Sequence, residues 1–234
     1  MSNLRRLNLG CGPGELPGDW INLDGSWNAW FSKLPLLRRV VKAFHLAPAD
    51  VFDYQWSPSV IVHDVRKRLP FENNSLSAIY SSHVLEHLYY SEAKQVLKEC
   101  YRVLEPRGIL RVVVPDMRFI VMEYLRAISE HTSAPKPRSV NPADLLNQRL
   151  LFRKESPPSG NLFFRVYMTW NDFHSHKWMY DSESLCLCFR AAGFVEVGEM
   201  QFRQSRIDAI EAVEQAGRVL NGEGICVEGI KPRN

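Results

Sequence analysis

The sequence lacks a long apolar run, a Lys/Arg cluster and any pair of cysteines at redox or metal-binding spacing, and each absence removes a class of function. Without an apolar stretch of about 20 residues there is no membrane-spanning helix. The net charge is +3 over 234 residues. With no basic run beside it, that is too little to draw nucleic acid, and no nucleic-acid partner is expected. The five cysteines (Cys11, Cys100, Cys186, Cys188 and Cys226) form no Cys-x-x-Cys pair, which argues against a zinc or dithiol site. Their odd number, with no apolar signal region ahead of Leu7, points to reduced thiols in the cytoplasm. There is no internal repeat. What remains, 45% hydrophobic and 24% charged residues, suits a globular domain with its own core.

Hydrophobic patterning supplies the architecture. Strand-like runs occupy residues 5–10, 20–24, 60–65, 78–84, 109–114, 194–200 and 225–230. The run at 60–65 reads as a buried strand. Amphipathic helices are expected over 91–104, with Ser91 as N-cap, and over 182–192. This alternation implies an α/β fold, with a mostly parallel seven-stranded sheet and helices on both faces. Ligands on such sheets bind beyond the carboxyl ends of the strands. Residues 1–234 read as a single domain with insertions at 26–59 and 118–180, the second opening with a helix over 119–129. Long connections of this kind are commonly lids.

The glycine loop Leu9-Gly10-Cys11-Gly12-Pro13-Gly14 follows the first strand. Glycines there let a ligand come close to the backbone. A dinucleotide fingerprint needs glycine at its sixth position, and Glu15 stands there instead. A carboxylate at that point repels a pyrophosphate, and the helix that would hold the phosphate is absent. S-adenosyl-L-methionine carries no phosphate, and its ammonium, carboxylate, ribose and adenine suit a glycine loop followed by acids. Asp24, ending the second strand, can accept from both ribose hydroxyls. Asp64, ending the third, can accept from the adenine amino group while the Val65 amide donates to the ring. The expected cofactor set is Leu9, Gly10, Cys11, Gly12, Gly14, Asp24, Gly25, Asp64, Val65, Ser81, Ser82 and His83.

The stretches Leu7–Gly12, Trp20–Asp24, Leu69-Pro70-Phe71, Ser81–Leu88, Glu99–Leu104, Val114-Pro115-Asp116, His176–Asp181 and Ala192-Gly193-Phe194 resemble the class I methyltransferases of the "type 11" group. The closer resemblance is to a bacterial subgroup associated with polysaccharide and cell-surface glycan gene clusters. It implies a Rossmann-like fold, S-adenosyl-L-methionine as cofactor, and a pocket opened by loss of the helix between the glycine loop and the second strand. Gly14 is only ten positions from Asp24. Before the fifth strand, Pro106-Arg107-Gly108 departs from the group's Pro-Gly-Gly.

The acceptor of a methyl group often needs a base, and histidine is the commonest near neutral pH. The catalytic candidates are His83, His87 and His176, with His174 beside them. Glu86 and His87 can equally brace the helix that follows. No third or fourth ligand is apparent beside them, so no metal is expected. Trp27, Trp30, Phe31, Phe44 and Trp56 in the first insertion, and Phe163, Phe164, Tyr167 and Trp170 in the second, suit stacking on a sugar or simple hydrophobic cover. Residues 27–44 mix Lys33, Arg38, Arg39 and Lys42 with apolar residues around Pro35. A lid helix is the favoured reading, and weak contact with a membrane surface the other. The expected acceptor is a glycan or glycosylated small molecule, methylated on oxygen or less readily nitrogen. The rival from another class is a non-catalytic binding or scaffold protein on the same fold. The oligomeric state stays open.

Overall fold

The computed structural model describes residues 5–14, 16–44, 55–133, 141–150, 175–219 and 224–233. Glu15, His174 and the aromatic residues of 163–170 lie outside them. The elements in chain order are β1 (Arg6–Leu9), β2 (Trp20–Asp24), α1 (Trp27–Ser32), α2 (Pro35–Ala43), β3 (Ile61–Val62), β4 (Leu76–Ser82) and α3 (Tyr90–Val103). They continue with β5 (Leu104–Pro115), α4 (Met117–Ser133), α5 (Pro142–Leu150), α6 (Ser182–Ala191), β6 (Val195–Met200) and β7 (Gly224–Ile230).

All seven strands join one sheet in the order β3-β2-β1-β4-β5-β7-β6. β1 pairs in parallel with β2 and β4, β2 with β3, and β4 with β5. β7 runs antiparallel to both β5 and β6. The chain therefore builds outward from β1 through β2 and β3, then returns to β4 on the other side of β1. That reversal opens a crevice beyond the ends of β1 and β4, where such sheets bind ligands.

The two faces of the sheet are covered differently. α3 buries Ala93, Val96, Leu97, Cys100 and Val103 at helical spacing. These pack with Leu185 and Phe189 of α6 against Leu7, Leu9, Ile79 and Val112. On the other face Trp20, Ala78, Tyr80, Val113 and Cys226 meet Ile207, Ile210, Val213 and Val219. That segment holds only two short 3-10 turns, Ile210–Ala212 and Ala216–Arg218. Ala212 and Val213 border the same small crevice as Cys11, Leu16 and Pro17. The path from Gly14 to Asp19 is too short for a helix, and the 207–219 segment covers the ground beside it.

Three expectations move. The strand expected at 60–65 shrinks to Ile61–Val62 at the sheet edge, with Ile61 exposed. Its apolar run signals burial, but an edge strand has a partner on one side only. α3 begins at Tyr90, not after Ser91, because the Glu92 carboxylate accepts the Tyr89 amide at 2.9 Å. β5 starts five residues early, at Leu104, with Arg107 in the left-handed region at φ 71°. Pro35 separates α1 from α2 by standing first in α2, where its missing amide costs nothing.

Candidate functional site

The end of β1 is tied to the end of β2. The amides of Gly10 and Cys11 donate to the Leu23 carbonyl at 2.8 and 3.2 Å. Gly10 has φ 73°, and a Cβ there would lie 2.1 Å from the Val84 side chain. Only glycine lets the loop fold down onto the end of β4. Gly12 donates to Asp24 Oδ2 at 2.9 Å, and Ser26 donates to Asp24 Oδ1 at 2.7 Å. Asp24 is 7% exposed, with its carboxylate on the cavity wall. Each oxygen has one lone pair committed to the backbone and a second for a ligand.

The cavity holds about 410 Å³, a volume suited to a nucleoside-sized ligand. Of the residues expected at the site, Gly10, Gly12, Asp24, Gly25, Asp64, Val65, Ser82, His83 and His87 line it. Leu9 and Ser81 are buried in the sheet instead. Cys11 faces the neighbouring crevice. Burial, reinforced by the Asp24 charge, pushes its thiol up to about 12, so it is neutral at physiological pH and no nucleophile. Gly14 is exposed and donates to the Gln55 carbonyl at 3.3 Å, fastening the loop to the first insertion.

Asp64 is held by Arg66, whose Nε and terminal nitrogen donate to the two carboxylate oxygens at 2.9 Å each. Burial raises the Asp64 carboxyl, but Arg66, helped by Lys67, outweighs it and holds the acid below its ordinary value. The Val65 backbone is thus the freer contact on this wall. Gly25 sits where β2 meets β3: a Cβ would lie 2.4 Å from the His63 carbonyl oxygen. The His63 amide in turn donates to the Asp24 carbonyl at 3.1 Å. Gly25→Ala is expected to push these strand ends apart. The expected results are a loss of about 1–3 kcal/mol in stability and weaker cofactor binding, read by melting and calorimetry on one sample.

His83 directly follows β4, in the left-handed region at φ 56°. A non-glycine residue held there stores roughly 1–3 kcal/mol of strain. Its amide donates to the Val113 carbonyl at 2.9 Å, and its Nδ1 lies 3.0 Å from Ser82 Oγ. His87 follows on the turn Leu85–His87, its Nδ1 3.3 Å from the Ser175 carbonyl oxygen. His176 stands behind the wall at 6% exposure, its ring centroid 5.1 Å from that of His87. Burial pushes its imidazole down, against a hydrogen bond to the Leu150 backbone. One ligand atom each from Glu86, His87 and His176 lies within 4.8 Å of the others. The missing third donor of the sequence reading is therefore present, brought from far along the chain.

Sequence reasoning missed Asn28, Arg66 and Lys177, which also line the cavity together with Trp56, expected only as one of the first insertion's aromatics. Asn28 and Trp56 belong to the first insertion, where aromatic content was the one available signal. Among the insertion's other aromatics, Phe31 is buried, whereas Trp30 and Phe44 are exposed. Among the described residues, no helix is long and apolar enough to cross a membrane.

A family model described as a methyltransferase domain, of the type-11 kind, matches residues 7–112, from β1 into β5. No curated protein matches the chain. One similar solved structure is the complex between the Haloferax volcanii Trm112 methyltransferase activator and a methyltransferase, 16% identical, covering 99% of this chain and 83% of that one at a TM-score of 0.46. A methyltransferase from Thermotoga maritima is 15% identical, covering 97% and 82%, at 0.44. An O-methyltransferase family protein from Burkholderia thailandensis is 12% identical, covering 99% and 52%, at 0.48. Residues 7–112 thus match a methyltransferase domain, and the sheet order and the glycine loop with its acid are those of a Rossmann-like fold with room for S-adenosylmethionine as its cofactor.

Proposed function

We propose that the enzyme methylates an oxygen, less readily a nitrogen, of a glycan or glycosylated small molecule. The observation that carries this reading is His83, which lines the cavity at the strand end with its Nδ1 beside Ser82 Oγ. With Nδ1 so engaged, Nε2 is the nitrogen for an acceptor proton. The glycan rests on the resemblance to the subgroup and on Trp56 in the wall.

The cofactor fits the residues present. Asp24 offers one lone pair on each oxygen to the ribose hydroxyls, Gly10 and Gly12 leave room for the amino-acid end, and the Val65 amide serves the adenine. When bound, S-adenosylmethionine supplies a methyl already activated on a sulfonium, so that an acceptor oxygen bonds to the methyl carbon as the carbon–sulfur bond breaks and its electron pair returns to sulfur. The chain's own task is alignment. His83 accepts the proton the acceptor oxygen sheds, and the protonated imidazole returns it to solvent after release. Asn28 and Trp56 of the first insertion and Lys177 of the second line the cavity and are the residues placed to choose the acceptor.

α2 presents Leu36, Leu37 and Val40 to solvent among Arg38, Arg39 and Lys42, and none of its residues is buried. Weak contact with an anionic membrane surface is the corresponding role. The unpaired cysteines fit a cytoplasmic enzyme.

His83→Asn tests the base. Asparagine tolerates the left-handed backbone, so the substitution removes the base and spares the turn. Turnover of a glycan acceptor is expected to fall roughly 100- to 10,000-fold, with a far smaller change in cofactor affinity. Equal turnover by the variant would remove His83 from the reaction.

A further inference from the structure

We propose that Glu86, His87 and His176 bind one divalent first-row transition-metal ion at the back wall of the cavity. The three donors come from two separate segments, the turn Leu85–His87 and the stretch before α6. Their ligand atoms already lie within 4.8 Å of one another. Around a tetrahedral ion with bonds of about 2.1 Å, neighbouring donors stand about 3.4 Å apart, so a contraction of at most about 1.4 Å closes the site. Two imidazoles and a carboxylate suit zinc, iron, cobalt or manganese better than calcium or magnesium.

Two further observations point to a ligand at this place. His176 is 6% exposed, and its Nδ1 is buried with no hydrogen-bond partner among the described residues, while the ring bonds to the Leu150 backbone. A buried ring nitrogen left without a partner is costly, and a lone pair offered to a cation removes that cost. His87 is oriented from the other side, with Nδ1 3.3 Å from the Ser175 carbonyl oxygen. A proton on Nδ1 donated to that carbonyl sets the tautomer and orientation of the ring, as such contacts do for metal-binding histidines.

The frame around the three residues is firm. The amides of Lys177 and Trp178 both donate to the Glu86 carbonyl, at 2.7 and 3.2 Å. Trp178 stacks on Tyr90 at 4.6 Å between ring centroids. Glu86 has no exposed surface, which fixes the position of its carboxylate within the trio.

Three protein ligands leave at least one coordination position open. His87 is the member of the trio that lines the cavity, so an ion held there would sit beside the space proposed for the acceptor. There the ion would lower the pKa of an acceptor hydroxyl, with His83 the residue placed to take the proton. This role, unlike the metal site itself, rests on the methyl-transfer reading above.

The test uses cobalt(II) as probe on the full-length protein after removal of metals by chelation and dialysis. The expected result is saturable uptake of one equivalent with a visible ligand-field spectrum, abolished by excess zinc. Glu86→Gln and His176→Ala are each expected to weaken uptake at least 100-fold. X-ray absorption on the cobalt-loaded wild type is expected to show scattering from two imidazoles, a readout that stands even where a variant fails to fold. No saturable uptake by the wild type, wild-type uptake by both folded variants, or fewer than two imidazoles at cobalt would each overturn the site. Calorimetry with S-adenosylhomocysteine on the same preparations separates the two ideas, since a protein that binds cobalt but no cofactor loses the methyltransferase reading and keeps the metal.

Discussion

Arg111→Ala is expected to cost about 3–5 kcal/mol of folding stability, the range for removing one partner from a buried ionic network. Arg111 sits in mid-β5 with no exposed surface, and both its acidic partners, Glu214 and Glu228, are equally buried. Its Nε donates to Glu214 at 2.8 Å, and a terminal nitrogen donates to Glu228 at 2.8 Å. The remaining donors reach the carbonyls of Gln201 and Gln204 at 3.0 and 3.1 Å. The carboxylates are satisfied from elsewhere too: Glu214 accepts from the Arg203 amide at 2.6 Å, and Glu228 accepts from Ser205 Oγ and the Arg206 amide. One guanidinium thus pins the 201–206 stretch and the cover at Glu214 to β5 and β7. Alanine leaves two acids buried without their cation, which is worse than having no network. For a chain of this size the melting temperature is expected to fall by roughly 6–20 °C. Replacing all three residues by apolar ones of similar volume is expected to restore much of that loss. A melting temperature for Arg111→Ala within about 2 °C of wild type would show that the network does not hold this face.

Asp24→Ala is expected to weaken cofactor binding at least 100-fold with little loss of fold. Two hydrogen bonds from ribose hydroxyls to a carboxylate are worth about 1.5–3 kcal/mol each, and the lower sum already exceeds a hundredfold. The carboxylate also organises the loop, because it accepts the amides of Gly12 and Ser26 from opposite sides. Alanine removes the ligand contact and the brace together. Asp24→Asn keeps one acceptor and is expected to fall between alanine and wild type. Melting curves supply the control: β2 is held on both sides by backbone pairing, so the variant should unfold close to wild type.

How much of this was legible in the sequence follows the range of the interactions. The glycine loop, Asp24 and Gly25 were legible because one strand, one turn and one strand contain them. α3 was legible from its apolar spacing, and only its first residue moved, since a tyrosine amide bonded to Glu92 leaves little trace in composition. β3 was overestimated because an apolar run does not say how many neighbours a strand has. Arg111 was invisible as a network: it reads as one charge inside an apolar strand, and its partners lie over a hundred positions away. The trio of Glu86, His87 and His176 was hidden in the same way. Adjacent residues suggested two ligands, and only folding delivers the third. Arg66 took the Asp64 carboxylate, a pairing two residues apart that local spacing allowed and the cofactor argument overlooked.

The central claim is that the pocket between β1, β2 and β4 is an S-adenosylmethionine site organised by Asp24. Isothermal calorimetry with S-adenosylhomocysteine on wild-type protein and Asp24→Ala tests it most directly. The account predicts saturable one-to-one binding by the wild type and affinity reduced at least about 100-fold in the variant. No heat of binding with the wild type at high micromolar ligand, or equal affinity for the two proteins, would contradict it.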